Sequence, residues 1–223
     1  MRNAIKAAIR NIAPLAIDDA RDELTLARRR QIFLAVCRVL ERKSFHVATV
    51  KEIALEAGLA AGSIYVYLQS KDDILLLIVD SMIGELIEMI PDVRRRGANN
   101  PRRELVALMG AVIDVTDSHR EAFCTINQEV RYLARHADYR SALGQSVARY
   151  TSTVEELLER GRRAGVIRFG DLHSAVEAIH MLCSGWAMGC DYLVSTDKET
   201  YKREIAAIVA GRFFAAGERA AKA

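Results

Sequence analysis

Residues 56–75 read EAGLAAGSIYVYLQSKDDIL, and this stretch decides the fold of the chain. Five of its first eight residues are glycine or alanine, and two tyrosines and a lysine follow them. Just upstream, Thr49 and Glu52 have the spacing of a capping box, in which each side chain satisfies a backbone N–H at a helix start. Two short helices, residues 50–57 and 61–68, are therefore predicted to meet at Gly58. Such a pair is typical of a helix-turn-helix.

The rest of the chain has apolar residues at helical spacing, and no strand pattern competes with it. We predict further helices over residues 22–43, 70–90, 101–117, 118–136, 138–164, 171–194 and 196–217. The first of these has one apolar stripe, formed by Ile32, Ala35, Val36, Val39 and Leu40. Ser70 and Asp73 have the spacing of a second capping box, at the start of the 70–90 helix, and Ser118 and Thr196 are expected to cap two others. Residues 91–101, PDVRRRGANNP, are expected to form a linker. The fold class is thus all-α. We predict that residues 22–70 form a three-helix domain containing the helix-turn-helix, here called the head. Residues 1–21 precede it as an N-terminal arm, and residues 71–223 form a larger helical domain.

Charge is distributed unevenly along the 223 residues, of which 51% are apolar. The formal net charge of +3 is too small to indicate a nucleic-acid partner by itself. Residues 1–71, however, contain 12 Lys or Arg against 7 Asp or Glu, whereas the remainder contains 20 against 22. The four cysteines have no paired spacing, and neither a signal peptide nor a membrane span is evident. These features predict a cytoplasmic protein with reduced thiols and a basic head.

Small residues at the start of the second short helix have a chemical use in a helix-turn-helix. That helix lies in the major groove of DNA, and Ala61 and Gly62 would let its backbone approach base edges closely. The hydroxyls of Tyr65 and Tyr67 and the ammonium group of Lys71 suit phosphate oxygens. The competing interpretation is an ordinary core-packing helix without any ligand.

Residues 28–80 resemble the DNA-binding domain of TetR-type bacterial transcriptional regulators. The resemblance rests on Phe45, Thr49, Val50, Ile53, Ala54, Ala57, Gly58, Gly62, Tyr65, Tyr67 and Lys71. It implies base contacts from Lys51, Ala61, Gly62 and Ser63, and phosphate contacts from Thr49, Tyr65, Tyr67 and Lys71. Residues 28–30, three arginines, are further candidates for DNA contacts.

Three positions depart from the family pattern, and one of them, Leu68 in place of the usual Phe, is a tolerable core exchange. Ser44 replaces the usual glycine, so we expect it to adopt a left-handed backbone conformation at a cost of roughly 1 kcal/mol. Ala60 replaces a Ser or Thr whose side chain would cap the recognition helix, and loss of such a cap typically costs about 1 kcal/mol. We therefore expect phosphate contacts to help order the recognition helix.

The family resemblance also implies a homodimer that binds a near-palindromic double-stranded DNA operator and is released by a small-molecule effector. Small residues in the last two helices agree with close helix packing: Ser184, Gly185, Ala187, Gly189, Ala206, Ala207, Ala210 and Gly211. Two recognition helices would then lie one DNA turn apart, roughly 34–36 Å. No cofactor is expected.

Candidate effector-binding residues are large apolar groups with a few polar ones: Met109, Phe123, Asn127, Arg131, Tyr150 and Trp186. Plain core packing is the alternative for each apolar member. Arg131 lies near apolar neighbours, and a semi-buried cation needs a partner, which is either an anionic ligand or Glu129 or Glu177. Residues 127–168 and 181–193 resemble the ligand domain of family members that control acyl-CoA degradation. This looser resemblance implies an acyl-CoA effector.

A metal or redox trigger is the competing hypothesis. His173, Glu177, His180 and Cys183 fall on one helix at spacings of three and four, although without a compact metal motif. Cys183 and Cys190 would be the redox candidates, or simply small buried residues. Proteins of other classes, an all-α enzyme or a structural oligomer, are also considered, but no convergent acid, base and nucleophile set supports the enzyme.

Overall fold

The computed structural model describes residues 20–189 and 196–215 of the chain. The helices are α1 (Ala20–Leu40), α2 (Val50–Glu56), a short 3-10 helix (Ser63–Val66), α3 (Asp73–Glu88), α4 (Ile90–Gly97), α5 (Pro101–Ser118), α6 (Arg120–Leu133), α7 (Ala137–Arg163), α8 (Leu172–Gly189) and α9 (Lys198–Phe213). The only pairing of extended backbone in these ranges is a single antiparallel bridge between Ile167 and Phe214. The all-α prediction is confirmed.

The described residues form two compact units, and the chain passes from the first to the second and back. The first unit contains residues 20–84 and 119–148, and the second contains the described parts of residues 85–118 and 149–223. Helices α3 and α7 each begin in the first unit and end in the second. The expected functional boundary between residues 70 and 71 remains a prediction.

The first unit has an apolar core built from α1, α2, the 3-10 helix and α3. The stripe predicted on α1 is buried in full: Ile32, Ala35, Val36, Val39 and Leu40. Ile53 of α2 and Ile64 of the 3-10 helix are each at most 1% exposed, as are Leu75 and Ile78 of α3. The short helices are therefore held by packing, since neither is long enough to be stable alone.

Two polar connections inside the first unit join α3 to α7. The Tyr139 hydroxyl donates to Asp73 Oδ1 at 3.0 Å, and seven residues further along both helices the Ser146 hydroxyl donates to Asp80 Oδ1 at 3.2 Å. Arg29 of α1 is buried and pairs with Asp80 Oδ2 at 2.7 Å. We call the Tyr139–Asp73 and Ser146–Asp80 hydrogen bonds the α3–α7 rungs. They fix α3 against α7 at two levels.

The second unit packs α5 against α8, with α7 and α9 alongside. Its buried residues include Leu105, Leu108, Ile113, Val154, Leu158, Ile179 and Val209. Near the start of α5, the carboxylate of Glu104, 1% exposed, forms an ion pair with Arg160 of α7. A buried carboxylate of this kind needs such a partner.

The prediction of a linker in residues 91–101 is wrong, because most of that stretch is helix α4. Pro91 stands in the first turn of α4, where a missing backbone N–H costs nothing. Val93 is buried, and the α-carbon of Gly97 lies so close to Glu104 that a side chain would not fit between them. Tertiary packing thus makes a helix of a sequence whose composition is polar.

Several predicted helix ends and caps also need correction. Ser118 does not cap α6, whose N-cap is His119 without a side-chain hydrogen bond, and α9 is capped by Asp197 rather than Thr196. Ser44 is not left-handed, since among the described non-glycine residues only Ala98 and Asn99 have positive φ. The recognition helix is shorter than predicted. Residues 1–19 of the arm, Cys190 and the predicted helix parts at 190–194 and 216–217 lie outside the described residues.

Candidate nucleic-acid interface and effector unit

The helix-turn-helix begins with the predicted capping box. Thr49 Oγ1 accepts the Glu52 backbone N–H at 3.2 Å, and the Thr49 backbone N–H donates to Glu52 Oε2 at 3.0 Å. At the other end of α2, Gly58 has a φ of 66°, and the Leu59 N–H donates to the Ala54 carbonyl at 2.8 Å. This closure is a Schellman motif, which needs the left-handed residue. The direction of the chain after α2 is thereby fixed.

Both carboxylates of α2 are neutralised by nearby cations. Lys43 Nζ lies 2.5 Å from Glu52 Oε1, and this hydrogen bond, followed by those from Thr49, lowers the Glu52 pKa to about 2. Arg42 and Arg38 both bind Glu56 and lower its pKa, Arg42 having the larger effect. The negative charge on α2 is therefore balanced, which reduces its repulsion of DNA phosphates.

The 3-10 helix turns Ile64 inward and leaves its other three residues, Val66 among them, outward. Ile64 is fully buried, whereas Tyr65 is 53% exposed and Ser63 is exposed as well. Tyr67 is half-buried, and neither tyrosine hydroxyl has a hydrogen-bond partner among the described residues. Apart from Val66, the outward groups are those that the sequence predicted for DNA contact.

Gly62 is a glycine that the fold itself does not require. Its φ is −72°, an ordinary helical value, and a Cβ built on it would meet no atom within 4 Å. Its neighbour Ala61 is exposed as well. The absence of a side chain at this point therefore leaves room for something outside the chain rather than for the protein's own packing.

Two of the predicted phosphate contacts already have partners in the free protein. Lys71 Nζ donates to the His46 carbonyl at 2.6 Å and lies 4.9 Å from the centroid of the Phe45 ring. The Thr49 hydroxyl donates to Glu52 Oε2 at 3.0 Å. By contrast, Lys51 is exposed and forms no ion pair with a described residue. Lys51 is thus the cation of the head most available to DNA.

The end of the recognition segment is anchored by Asp73, a residue that the sequence suggested only as a cap. Asp73 Oδ2 accepts the backbone N–H groups of Gln69 at 2.8 Å and Ser70 at 2.9 Å, and the Asp73 N–H contacts the Ser70 hydroxyl at 3.3 Å. The second capping box is confirmed. Tyr139 binds the other oxygen of Asp73. The Tyr139–Asp73 hydrogen bond therefore reaches the end of the recognition segment, which is residues 61–70.

Sequence reasoning missed several residues that position the head. Gln31 of α1 donates to the Ala57 carbonyl at 2.6 Å and so joins α1 to the end of α2. Arg29, one of the three arginines considered for DNA, is buried against Asp80 and is excluded from that role. The available signal was the seven-residue spacing of Asp73 and Asp80, which places two carboxylates on one helix face.

The effector candidates of the first unit lie on α6, where one of them differs from expectation. Phe123 is partly buried, and Asn127 is exposed with its amide donating to the Phe123 carbonyl at 2.9 Å. Arg131 is exposed, so its predicted semi-buried position is wrong. The buried face of α6 is formed by other positions, and Glu129 pairs with His46 at 2.9 Å.

The effector candidates of the second unit are all buried: Met109 is 2%, Tyr150 5% and Trp186 8% exposed. Trp186 Nε1 donates to Asp117 Oδ1 at 2.8 Å, and the other oxygen of the same carboxylate, Oδ2, binds Lys198. The Tyr150 ring contacts the His180 ring with centroids 5.8 Å apart. Burial here fits core packing and a pocket lining equally.

The groups considered for a metal or redox trigger do not assemble. His173 and Glu177 form an exposed pair at 3.2 Å, whereas His180 hydrogen-bonds Ser184 at 3.3 Å. Within residues 20–189 and 196–215 no three His, Cys, Asp or Glu side chains are grouped to hold a metal ion. Cys183 is fully buried, which raises its thiol pKa to about 12. A thiol that stays protonated is a poor redox sensor.

The small residues of α8 serve a contact inside the chain. Ser184, Ala187 and Gly189 are buried, and a Cβ on Gly185 would lie 2.8 Å from the Tyr201 hydroxyl of α9, which donates to the Leu182 carbonyl. The α8–α9 surface that remains exposed carries Met181, Met188, Ala207, Ile208 and Gly211. No helix among the described residues is long and apolar enough to cross a membrane.

A helix-turn-helix head on a larger helical body defines a class of DNA-binding transcriptional regulators. Two family models match this chain: the TetR family of bacterial regulatory proteins at residues 32–78, and the C-terminal domain of tetracycline-repressor-like proteins at residues 101–200. Together they span more than half of the chain. The chain belongs to the TetR family, whose members are regulators and not enzymes.

Individual relatives agree with this assignment. The fatty acid metabolism regulator protein of Bacillus subtilis is 26% identical over 141 residues, which are 63% of this chain and 71% of that protein. The regulator HbdR of Aromatoleum sp. (strain CIB) is 25% identical over 166 residues, 74% of this chain and 71% of its own.

Two solved structures show the same fold. That of FadR from Bacillus subtilis in complex with stearoyl-CoA has a TM-score of 0.66 and 22% identity, over 82% of this chain and 98% of its own. The structure of the ketosteroid transcriptional regulator KstR2 of Mycobacterium tuberculosis has a TM-score of 0.63 and 18% identity, and the match covers 84% of this chain and 95% of KstR2. TetR-family regulators bind DNA operators as dimers and respond to small-molecule effectors.

Proposed function

We propose that this regulator is a repressor that binds a near-palindromic operator as a homodimer and is released by an acyl-CoA. The observation that carries the DNA-binding half is Gly62, whose missing side chain the fold does not need. It lies between exposed residues that suit base edges and phosphates. In this proposal residues 22–70 bind DNA and residues 71–223 bind effector and dimerise, in the cytoplasm.

Roles within the DNA surface follow from exposure and available hydrogen bonds. Lys51, exposed and without an ion pair in the described residues, suits the acceptor atoms of guanine. Ala61 and Gly62 allow close approach and apolar contact, and Ser63 adds a short hydroxyl. The recognition segment offers no Arg, Asn or Gln at its start, so DNA shape contributes to sequence preference.

Phosphate contacts are assigned to Tyr65, Tyr67, Thr49 and Lys71. The two tyrosine hydroxyls are the better supported of these four candidates, because they have no hydrogen-bond partners among the described residues. Thr49 and Lys71 would have to share or exchange the hydrogen bonds they make in the free protein. Lys71 can share, since an ammonium group has three donors and the His46 carbonyl takes one.

An acyl-CoA effector is supported by the relatives and by the character of the candidate residues. One relative is named a fatty acid metabolism regulator, and a structure of similar fold holds stearoyl-CoA. The candidates Met109, Tyr150 and Trp186 offer buried surface to an acyl chain.

Release would be transmitted by the two helices that run through both units. Helix α3 starts beside the recognition segment at Asp73, and the α3–α7 rungs bind it to α7. An effector that displaces either helix changes the separation of the two heads in the dimer, so that they no longer match the operator. Typical coupling of about 1–3 kcal/mol weakens operator binding 5- to 150-fold.

Two experiments test this proposal separately. Gel shifts with fragments of the organism's own genome should reveal a preferred duplex, and its absence would refute the DNA-binding half. Thermal denaturation with a series of acyl-CoAs should show stabilisation by bound ligand. If operator affinity stays unchanged at saturating acyl-CoA, the effector half is wrong.

A further inference from the structure

Tyr150 of α7 and His180 of α8 form an aromatic pair inside the second unit. Their ring centroids are 5.8 Å apart and their planes meet at 60°, an edge-on contact. Tyr150 is 5% exposed, and the neighbouring Cys183 and Ser184 are at most 1% exposed. His180 itself is partly buried. The side of the pair that faces Cys183 and Ser184 is therefore buried, and buried polar atoms are expected to have partners.

Each member of the pair nevertheless has an unused hydrogen-bonding atom. His180 Nε2 is 3.3 Å from the Ser184 hydroxyl, but His180 Nδ1 is buried and has no partner. The Tyr150 hydroxyl makes no hydrogen bond within the described residues. Leaving a buried ring nitrogen such as His180 Nδ1 unsatisfied costs about 1–3 kcal/mol. An unsatisfied nitrogen beside a hydroxyl that makes no hydrogen bond is hard to explain by packing alone.

We propose that the Tyr150–His180 pair binds an uncharged oxygen of the effector, a carbonyl or a hydroxyl, within the buried part of its site. The proposal rests on the acyl-CoA function above and names the chemistry recognised there. A carbonyl oxygen can accept a hydrogen bond from the Tyr150 hydroxyl, and a hydroxyl can bond both residues at once. A fully saturated hydrocarbon would leave both atoms unpaired.

The environment selects against a charged group at this position. Burial lowers the His180 pKa, and burial raises the Tyr150 pKa, so both side chains are neutral at physiological pH. Neither can neutralise a carboxylate or a phosphate, whose transfer into a dry interior requires a counter-charge. An uncharged oxygen needs only hydrogen bonds.

An acyl-CoA has two possible sources for that oxygen: the thioester carbonyl, or a hydroxyl or oxo group along the chain. Palmitoyl-CoA and 3-hydroxypalmitoyl-CoA distinguish them because they share chain length and thioester. Binding can be followed by the fluorescence of Trp186, the single tryptophan of the chain. The affinities of wild type, Tyr150→Phe and His180→Phe should be measured with both probes.

We expect Tyr150→Phe to weaken binding of at least one probe by about 2- to 13-fold, the value of one neutral hydrogen bond. Equal weakening for both probes assigns the thioester carbonyl, and selective weakening for the hydroxylated probe assigns the chain oxygen. Unchanged affinity for both probes overturns the inference alone. If wild type binds neither probe, the acyl-CoA function fails and the inference fails with it.

The melting temperature of the free protein supplies an independent readout. Removing a hydroxyl that makes no hydrogen bond within the described residues should leave the melting temperature of Tyr150→Phe unchanged or raised. Tyr201→Phe is the matched control, because the Tyr201 hydroxyl already donates to the Leu182 carbonyl at 2.7 Å. It should lower the melting temperature and leave effector affinity unchanged. A lower melting temperature for Tyr150→Phe with normal affinity would mark that tyrosine as structural and overturn the inference.

Discussion

Replacing Gly62 with alanine adds one methyl group to the exposed start of the recognition segment and should separate folding from DNA binding. In the free protein the methyl group has room, because no atom lies within 4 Å of its position and the backbone is already helical at φ −72°. On the operator the same methyl group would lie between the backbone and the base edges. Stability and affinity should therefore move in opposite directions.

The magnitudes follow from these two environments. A glycine-to-alanine change at a compatible backbone position stabilises a protein by about 0.4–1 kcal/mol, through the reduced freedom of the unfolded chain. For a chain of this length that corresponds to a rise in melting temperature of about 1–4 °C. A methyl group forced into a tightly packed contact costs about 1–3 kcal/mol, or roughly 5- to 150-fold in affinity for each half-site.

The assay pairs thermal denaturation with fluorescence anisotropy on a labelled operator duplex at fixed salt. Gly144→Ala is the matched control, since Gly144 is an exposed glycine within α7 whose Cβ would also meet no atom within 4 Å. The control should gain stability and keep full operator affinity. Unchanged affinity for Gly62→Ala would refute the close approach of DNA at this residue. A fall in its melting temperature would show that the fold does require the glycine.

Three further outcomes follow from the structure. Tyr139→Phe removes the hydroxyl that binds Asp73 and contacts Ser70, and should lower the free energy of unfolding by about 1–3 kcal/mol. Chemical denaturation measures this loss, and a loss below measurement error would contradict the prediction. Cys183, with its pKa raised to about 12, should resist iodoacetamide at pH 8 until the protein unfolds, as mass spectrometry of the modified site would show; rapid native labelling would disprove its burial. Burial holds the His180 pKa below its ordinary 6.5, so protonation favours the unfolded state, and wild-type stability should fall more steeply than that of His180→Phe as pH drops below about 6.5; parallel titrations would contradict this.

The local features of the head could be predicted from sequence because their causes are local. The capping box of Thr49 and Glu52, the left-handed Gly58 and the cap at Asp73 each depend on residues close together in the chain. The burial of Ile64 between exposed neighbours follows from helical spacing as well. Short-range hydrogen bonds and turn geometry determine these features.

The errors lie where distant residues decide the outcome. Helix α4 replaced the expected linker because Gly97 packs on Glu104, which composition cannot show. Arg131 was expected to be semi-buried, yet periodicity gives the spacing of a helix face and not which face meets a neighbour. The bond from Tyr139 to Asp73 joins residues 66 positions apart. The extent of the effector site stays a prediction for the same reason.

Selection of genomic DNA fragments by the purified protein, followed by sequencing of the retained duplexes, tests the central claim most directly. We predict strong enrichment of one near-palindromic site with half-sites a single DNA turn apart, and loss of that enrichment for the combined variant Lys51→Ala, Gly62→Ala and Tyr65→Phe. Retained DNA that is no different from the input, or enrichment that survives in the combined variant, would contradict the account.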